Sequence, residues 1–365
     1  VAPSPDPHAR TIRAYDHGAR RWERTRSAEP DGLDELRAML GADPGRIADL
    51  GCGPGWHLEG LGPGAIGLDA SAAMLERARA RGVRAPLLRA DLRQLPLRTG
   101  ALDAAWASRS HVHLARAEVP LALWDLHRSL RPGAPARLVL FGGDLEHGRI
   151  EGDELGDRWF SAWPEQLLRD VVAGAGFDLE LLERRPDGEV DQLVVWVRRA
   201  GTLADTVSSG MRLLLVGLNP SRAAAAAGVG FHRPGNRAWP ALLAAGLATR
   251  DRDPLHLLRT HRIGMTDLVK RPTDRAAELR PAEYRAGVDR LDRLCAWLHP
   301  RAVCVVGLTG WRHGVDPDAA AGVQAATLGG RPVYLMPNPS GANAHTTLDD
   351  LVEHLRAAAR LADDC

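Results

Sequence analysis

Of the 47 basic residues in this 365-residue chain only Lys270 is a lysine, so chemistry that needs a side-chain amine, such as a Schiff base, has a single candidate. Cysteine is equally scarce. The four present, Cys52, Cys295, Cys304 and Cys365, form no CxxC pair and no metal-ligand spacing, which argues against zinc and iron–sulfur centres and predicts reduced thiols. No apolar run approaches the roughly 20 residues of a membrane helix, and the segment VAPSPDPHARTIRAYD lacks the apolar core of a secretory signal. These features predict a cytoplasmic protein without a membrane partner. A charged fraction of 25% and a hydrophobic fraction of 45% are those of an ordinary globular chain rather than a disordered one.

The length predicts two domains, because single cores stop growing near this size. A boundary is expected at 200–210, giving a first domain over 1–200, a linker over 201–210 and a second domain over 211–365. There the strand-like VDQLVVWVRRA gives way to the small, polar GTLADTVSSG, and MRLLLVGLNPS opens a new buried strand. Charge divides along the same line. Residues 201–365 carry 20 basic and 16 acidic groups and residues 1–200 carry 27 and 30, so the second half is mildly basic, which suits a phosphate backbone.

The first half reads as strand, glycine turn and helix, repeated. In RIADLGCGPGWH an apolar strand, Ile47 to Leu50, enters a turn with Gly51, Gly53 and Gly55, and AIGLDAS supplies a second strand ending in Asp69. Glycines let a backbone approach a nucleotide-like ligand closely, and a carboxylate ending the next strand can hold both ribose hydroxyls. Asp49, just before the turn, disfavours a pyrophosphate and suits a cationic ligand. With Asp91 in RADLRQLPL, this spacing resembles class I S-adenosylmethionine-dependent methyltransferases over about 10–198, closing with a hairpin near 177–197. The resemblance implies that Asp49 and the backbone of Gly51, Gly53 and Gly55 hold the methionine end of S-adenosylmethionine, Asp69 the ribose, and Asp91 with Leu92 the adenine. His111 and His113 follow the fourth strand, where an acceptor-side general base is expected. Tyr15, with Trp22, is expected to cap the same pocket, while Cys52 reads as a packing residue. The methyl acceptor is not legible: the [DN]PP[YF] segment of base amino-methyltransferases is replaced by ASRSHVHL.

In the second half four segments occur in order: VGLNPS at 216–221, FHRPGNRAW at 231–239, GMTDLVKRPT at 264–273 and MPNPSGANAH at 336–345. Together they resemble the mismatch-specific uracil/thymine-DNA glycosylases over about 211–360. The resemblance implies a three-layer α/β/α domain of the uracil-DNA glycosylase type, following a Rossmann-like methyltransferase sheet. It also implies a partner, double-stranded DNA with a damaged or mismatched base. Such an enzyme must take a base out of the stack and cleave its bond to a sugar that develops positive charge. Asn219 is expected to orient water without deprotonating it, so departure of the base leads and water capture follows. Phe231 is expected to stack on the base, with Leu218 beside it.

Asp267 occupies a position where relatives carry Asn or Lys. It is a candidate for accepting a hydrogen bond from the base or acting as general base, against the repulsion between a carboxylate and an anionic leaving group. Lys270 and Arg271 are expected on phosphate, and Asn338 and Ser340 are expected to fix a loop and a flanking phosphate. The loop pressed into the minor groove would be built on Gly341, Ala342, Asn343 and Ala344, a small wedge with His345 or Asn343 as the candidates to supplement it. Asn236, Arg237 and Trp239 read as structural, and no cofactor is expected for this half. The resulting expectation is a bifunctional fusion; the alternative is a methyltransferase that uses the second fold as a DNA- or base-recognition module.

Overall fold

The computed structural model describes residues 6–26, 31–41, 45–188, 190–341, 343 and 345–365. It divides into two compact units, the first formed by Val1–Arg169 and Phe177–Ala200 and the second by Asp170–Gly176 and Gly201–Cys365.

The first unit is built on one sheet of β1 (Ile47–Leu50), β2 (Ala65–Asp69), β3 (Leu87–Arg89), β4 (Ala104–Ser108), β5 (Pro135–Gly142), β6 (Ala162–Trp163), β7 (Phe177–Arg185) and β8 (Gln192–Arg199). Its order is β3-β2-β1-β4-β5-β8-β7, with β6 beside β5. The pairs among β1 to β6 are parallel, whereas β8 runs antiparallel to both β5 and β7. All four residues of β1 are buried, as a continuous apolar run predicts for a strand covered on both faces. The order reverses between β1 and β4, the point where open α/β sheets bind ligands beyond their carboxyl ends.

The helices of this part of the chain are α1 (Pro7–Thr25), α2 (Leu33–Leu40), α3 (Leu58–Leu61), α4 (Ala72–Ala80), α5 (Val119–Ser129) and α6 (Glu165–Gly174). α1 begins where Asp6 accepts the His8 amide and Pro7 occupies the first helical position, and it buries His8, Thr11, Ala14 and Ala19 on one face. That face is sewn to α4, where Asp16 accepts the Ser71 hydroxyl at 2.6 Å and the Ala73 amide at 3.1 Å, and Arg77 pairs with Glu23.

The second unit has a sheet of β9 (Leu213–Gly217), β10 (Ile263–Asp267), β11 (Ala302–Val306), β12 (Gly322–Val323) and β13 (Val333–Met336), in the order β10-β9-β11-β13-β12. Only the β12 pairing is antiparallel. Its helices are α7 (Arg222–Ala227), α8 (Ala238–Ala244), α9 (Pro254–His261), α10 (Pro281–Leu298), α11 (Leu308–Gly314) and α12 (Leu348–Asp363). On one face Leu213, Leu215, Ile263, Met265 and Cys304 pack with Trp239 and Leu242 of α8 and Leu351 and Leu355 of α12. The alternate residues Leu214, Val216, Val303 and Val305 are equally buried on the opposite face, as a strand pair covered by helices on both sides requires. The alanine run after Asn219 is α7, capped by Ser221, which accepts the Ala224 amide at 3.2 Å, and closed by Gly228 at φ +67°.

Residues 201–210, expected as a linker, fall within the second unit, and the stretch 202–207 contributes to its core. Thr206 pairs with Met265 through both backbone bonds, and Thr202, Ala204, Asp205, Thr206 and Val207 are all buried. Asp205 holds Lys270 at 2.7 Å and Arg290 at 3.0 Å, and also accepts the Thr266 hydroxyl at 2.7 Å. Burial pushes the Asp205 carboxyl up, but the charges of Lys270 and Arg290 outweigh it and hold the group below the ordinary carboxylate range. Composition alone does not reveal that the one acid of GTLADTVSSG serves a buried ion cluster rather than solvent. Removing one partner of a buried cluster leaves uncompensated charge. Asp205→Ala should therefore destabilise the second unit by about 3–5 kcal/mol, seen as an earlier transition in urea unfolding.

Candidate active sites

In the first unit the turn after β1 is closed by the Gly51 and Cys52 amides, both donating to the Leu68 carbonyl of β2. Gly51 has φ +76° and a Cβ there would fall 2.3 Å from that of Ser110, so only glycine fits. Gly53 has φ +52° but open space where its Cβ would stand, which leaves the backbone bare to a ligand. Gly55 does something else: its missing Cβ faces Val83, Leu58 and Ala78, so it is a packing position rather than a ligand contact.

A cavity of about 430 Å³ opens beside this turn, within the range of small-ligand sites. Gly51, Gly53, Asp69, Leu92, Tyr15, Trp22 and His113 line it. Asp69 bridges its own turn, accepting the Gly53 and Ser71 amides at 2.8 Å each, and burial lifts its carboxyl to about 6 against the pull of those two bonds. Asp49 lies under the turn, 1% exposed, with Oδ2 lacking any hydrogen-bond partner and His57 Nδ1 3.8 Å away. A buried carboxylate left with an unused oxygen awaits a donor or cation.

Other expected residues of this unit are engaged elsewhere. The Asp91 carboxylate is held by His8 at 3.0 Å and by Arg93 at 2.8 Å, and burial notwithstanding, these partners keep it well below the carboxylate range. It is therefore a clasp between α1 and the segment after β3, and Leu92, not Asp91, faces the cavity. His111 is buried in the turn after β4 with its Nδ1 3.4 Å from the Ser110 hydroxyl, off the cavity wall, and burial lowers it to about 4. His113 does reach the wall. Its Nδ1 donates to the Trp159 carbonyl at 2.8 Å, so Nε2 is the acceptor for the Tyr15 hydroxyl at 2.8 Å, and burial, followed by Arg158, lowers it to about 3. The imidazole is thus a neutral acceptor already used by Tyr15, whose oxygen in turn accepts Arg158 at 2.9 Å.

Sequence reasoning missed Arg158, which packs against the rings of Tyr15, Trp22 and Phe160 and pairs with Asp153. An arginine in a loop 143 residues from its aromatic partner leaves no local signal. The Cys52 thiol is pushed far up by burial and stays an inert packing group.

In the second unit the four motifs meet because each follows the carboxyl end of a strand or the helix entrance beside it. Asn219 follows β9, Asp267 ends β10, and Asn338 and Ser340 follow β13; together with Leu218, Phe231 and Val306 they line a cavity of about 270 Å³. Beyond β9 and β10 the pairing continues, with Leu268 N donating to Gly217 O and Val269 N to Leu218 O, which fixes GMTDLVKRPT against VGLNPS. The Asn219 amide nitrogen donates to the Arg271 carbonyl at 3.0 Å and to Thr273 Oγ1 at 2.8 Å. The side chain is thereby oriented so that Oδ1 is the group left to accept a hydrogen bond. Phe231 sits at φ +57°, a strained conformation for a bulky residue that is characteristic of functional positions. Its loop is anchored by Trp239, whose indole donates to Gly230 O at 2.9 Å.

Asp267 lies directly across β9 from Gly217, where a Cβ would fall 2.4 Å from Oδ1. The carboxylate is 8% exposed, and burial lifts it to about 6.

Lys270 is not available to phosphate, since its ammonium turns inward to Asp205 and the Leu203 carbonyl. Arg271 folds onto Glu283 at 2.6 Å and 2.9 Å and onto the Glu278 carbonyl. Within the 336–345 segment Asn338 Oδ1 accepts the Ser340 amide at 2.9 Å, and Asn343 donates to the Asn338 carbonyl and Thr346 Oγ1 at 3.0 Å each. Asn343 is therefore a brace within the loop rather than a free wedge. Arg237 clamps the same loop through the carbonyls of Ser340, Asn343 and Thr346. Gly341 approaches the Gly235 carbonyl closely and His345 is exposed, whereas Ala342 and Ala344 lie outside the described residues.

Residues 47–133 match the family model of a methyltransferase domain, and residues 204–361 match that of the uracil DNA glycosylase superfamily. The first match lies within the first unit and the second within the second unit. Among solved structures it is similar to an S-adenosylmethionine-dependent methyltransferase from Mesorhizobium loti, with 25% identity and TM-score 0.38, over 46% of this chain and 97% of that one. It is also similar to the 1,6-didemethyltoxoflavin-N1-methyltransferase of Burkholderia thailandensis, solved with 1,6-didemethyltoxoflavin and S-adenosylhomocysteine. That match has 21% identity and TM-score 0.44, over 55% of this chain and 93% of that one. The glycosylase-superfamily model begins at Ala204, inside the segment whose Asp205 anchors the second core. No helix among the described residues is long and apolar enough to cross a membrane, and no cluster of His, Cys, Asp or Glu among them could hold a metal.

The elevated Asp267 carboxyl couples the glycosylase-superfamily site to stability. The folded domain keeps a proton that the unfolded chain releases between about pH 4 and 6, so stability contributed by this group is lost as pH rises through that window. Asp267→Asn, which cannot ionise, should be more stable than the parent at pH 7.5 by up to about 3 kcal/mol, and the difference should vanish below pH 4, as read by urea unfolding at both values.

Proposed function

We propose that the glycosylase-superfamily domain is a monofunctional DNA glycosylase of the mismatch-specific uracil/thymine type. It hydrolyses the N-glycosidic bond of uracil or a related damaged base in double-stranded DNA, as the first step of base excision repair in the cytoplasm. The observation that carries this reading is the convergence of an oriented Asn219 amide, the Phe231 ring and Asp267 on one 270 Å³ cavity at the strand ends. A base rotated out of the duplex would stack on Phe231, an interaction worth about 1–3 kcal/mol and tolerant of base identity. Asn219 Oδ1 would accept a hydrogen bond from the water that captures C1′. An amide takes no proton, so cleavage proceeds by departure of the base first. With Lys270 turned to Asp205, no free side-chain amine is left for a Schiff base with the sugar, which agrees with hydrolysis alone.

The methyltransferase domain is proposed to use S-adenosylmethionine. The buried Asp49 oxygen, without a hydrogen bond among the described residues and with only the 3.8 Å contact to His57, and the bare backbone at Gly53 fit a ligand that carries both ammonium and sulfonium charge. The remaining lone pairs of the Asp69 carboxylate suit ribose hydroxyls, and Leu92 offers an apolar wall to adenine. When bound, that cofactor supplies an electrophilic methyl group. Tyr15, held between His113 and Arg158, would position the acceptor at the far wall.

Two measurements check these readings. On labelled duplexes with G:U, G:T, A:U, hypoxanthine or ethenocytosine, the parent protein should release a base and Asn219→Ala should lose at least 100-fold in single-turnover rate; unchanged excision by that variant refutes the assignment. In calorimetry, S-adenosylmethionine should bind, with Asp49→Asn and Asp69→Ala each weakening it about tenfold or more. Undiminished affinity in Asp69→Ala would remove the site described here.

A further inference from the structure

Asp267 is an acid to which no described residue donates a hydrogen bond. Among the described residues no hydrogen bond reaches its carboxylate, although two cations lie close by. Lys270 is committed to Asp205 and the Leu203 carbonyl. Arg290, from α10, is committed to Asp205, the Thr266 hydroxyl and the backbone carbonyl of Asp267 itself. His232, Arg233 and Asp274 are the other charged or titratable groups on the wall of the shared cavity. Behind Asp267 is a void of about 20 Å³ bounded also by Phe231 and by Thr206, whose hydroxyl is buried and unpartnered. It is the size of one water molecule with two polar neighbours. Asp267 borders both this void and the cavity in which the base is read.

Resting on the glycosylase reading above, we propose that Asp267 recognises the extruded base as a neutral carboxylic acid, its O–H donating to a ring carbonyl and its C=O accepting the adjacent ring N–H. The substrates this selects are bases with a lactam or imide edge, such as uracil, hypoxanthine and xanthine. An ionised carboxylate would accept the N–H but turn its second oxygen against the carbonyl. When the glycosidic bond breaks, its electron pair passes to the base and spreads onto the carbonyl oxygen that the acid holds. The oxygen of water then bonds to C1′, and the proton that this water loses ends on the base. Below about pH 6 Asp267 keeps its own proton and acts by donating a hydrogen bond, as buried neutral acids do in other active sites. The group is suited to the task because burial, opposed by Lys270 and Arg290 and aided by Asp205, lifts it to about 6.

Excision of uracil from a G:U duplex, measured in single turnover from pH 5 to 8.5, tests the assignment. The parent rate should fall about tenfold per unit above pH 6, close to a hundredfold by pH 8. Asp267→Asn carries a donor and an acceptor at every pH, so its rate should be flat and should exceed the parent's at pH 8, whereas Asp267→Ala should be slow throughout. His232→Gln should keep the parent midpoint, which would assign the titration to Asp267. A flat parent profile, a midpoint that moves with His232, or an Asp267→Asn variant no faster than Asp267→Ala would overturn the proposal. Excision that requires Asn219 but ignores both pH and Asp267 would overturn it alone; absence of excision in every variant at pH 5 would take the glycosylase reading with it.

Discussion

Parallel strands all point one way, and both sites depend on that polarity. In each sheet the central strands end at a common edge, and the chain order reverses beside the first strand of the unit, between β1 and β4 in one and between β9 and β11 in the other. Loops leaving that edge on either side of the reversal run in opposite directions and diverge around a crevice. The Gly51 turn, Asp69 and Leu92 therefore surround one cavity, and Asn219, Asp267 and Asn338 another, though the residues of the second span 120 positions in sequence.

Burial pushes the acids of these sites upward, and their partners decide which of them stay raised. Asp69 and Asp267 are both lifted to about 6, yet Asp69 is satisfied by two backbone amides and Asp267 by none. Asp205, equally buried and only two bonds of the network away, is held low because it has taken both nearby cations. The second domain thus concentrates its ionic pairing in a structural cluster behind the sheet edge and leaves one acid without a counter-ion at the cavity. Such an arrangement costs stability and is the pattern expected where a proton has a function.

Much of this was legible without coordinates. The glycine turn after Leu50, the carboxylate ending β2 and the hairpin of β7 and β8 are local patterns whose placement follows from periodicity and turn chemistry, whereas the four segments of the second half are legible through a family resemblance. Charge roles were harder to read. Lys270 and Arg271 look like phosphate ligands in a basic stretch, but their partners, Asp205 and Glu283, lie 65 and 12 residues away. The supposed linker failed for the same reason, since its polarity serves Asp205 and the backbone bridge from Thr206 to Met265. His111 and His113 were indistinguishable by spacing, yet one is buried off the wall and the other holds Tyr15 on it.

The sequence by itself singled out Asp49 and Asp69 through the rules that glycine turns and strand ends impose, and Asn219 and Phe231 through the resemblance carried by the four segments of the second half. Only the tertiary structure decided which charges are free. Pairing distances and burial are set by segments far apart in the chain. Through them Lys270 became a core cation, Asp91 a clasp for α1, Asn343 a brace within its loop, and Asp267 an acid left without a partner beside the Phe231 ring.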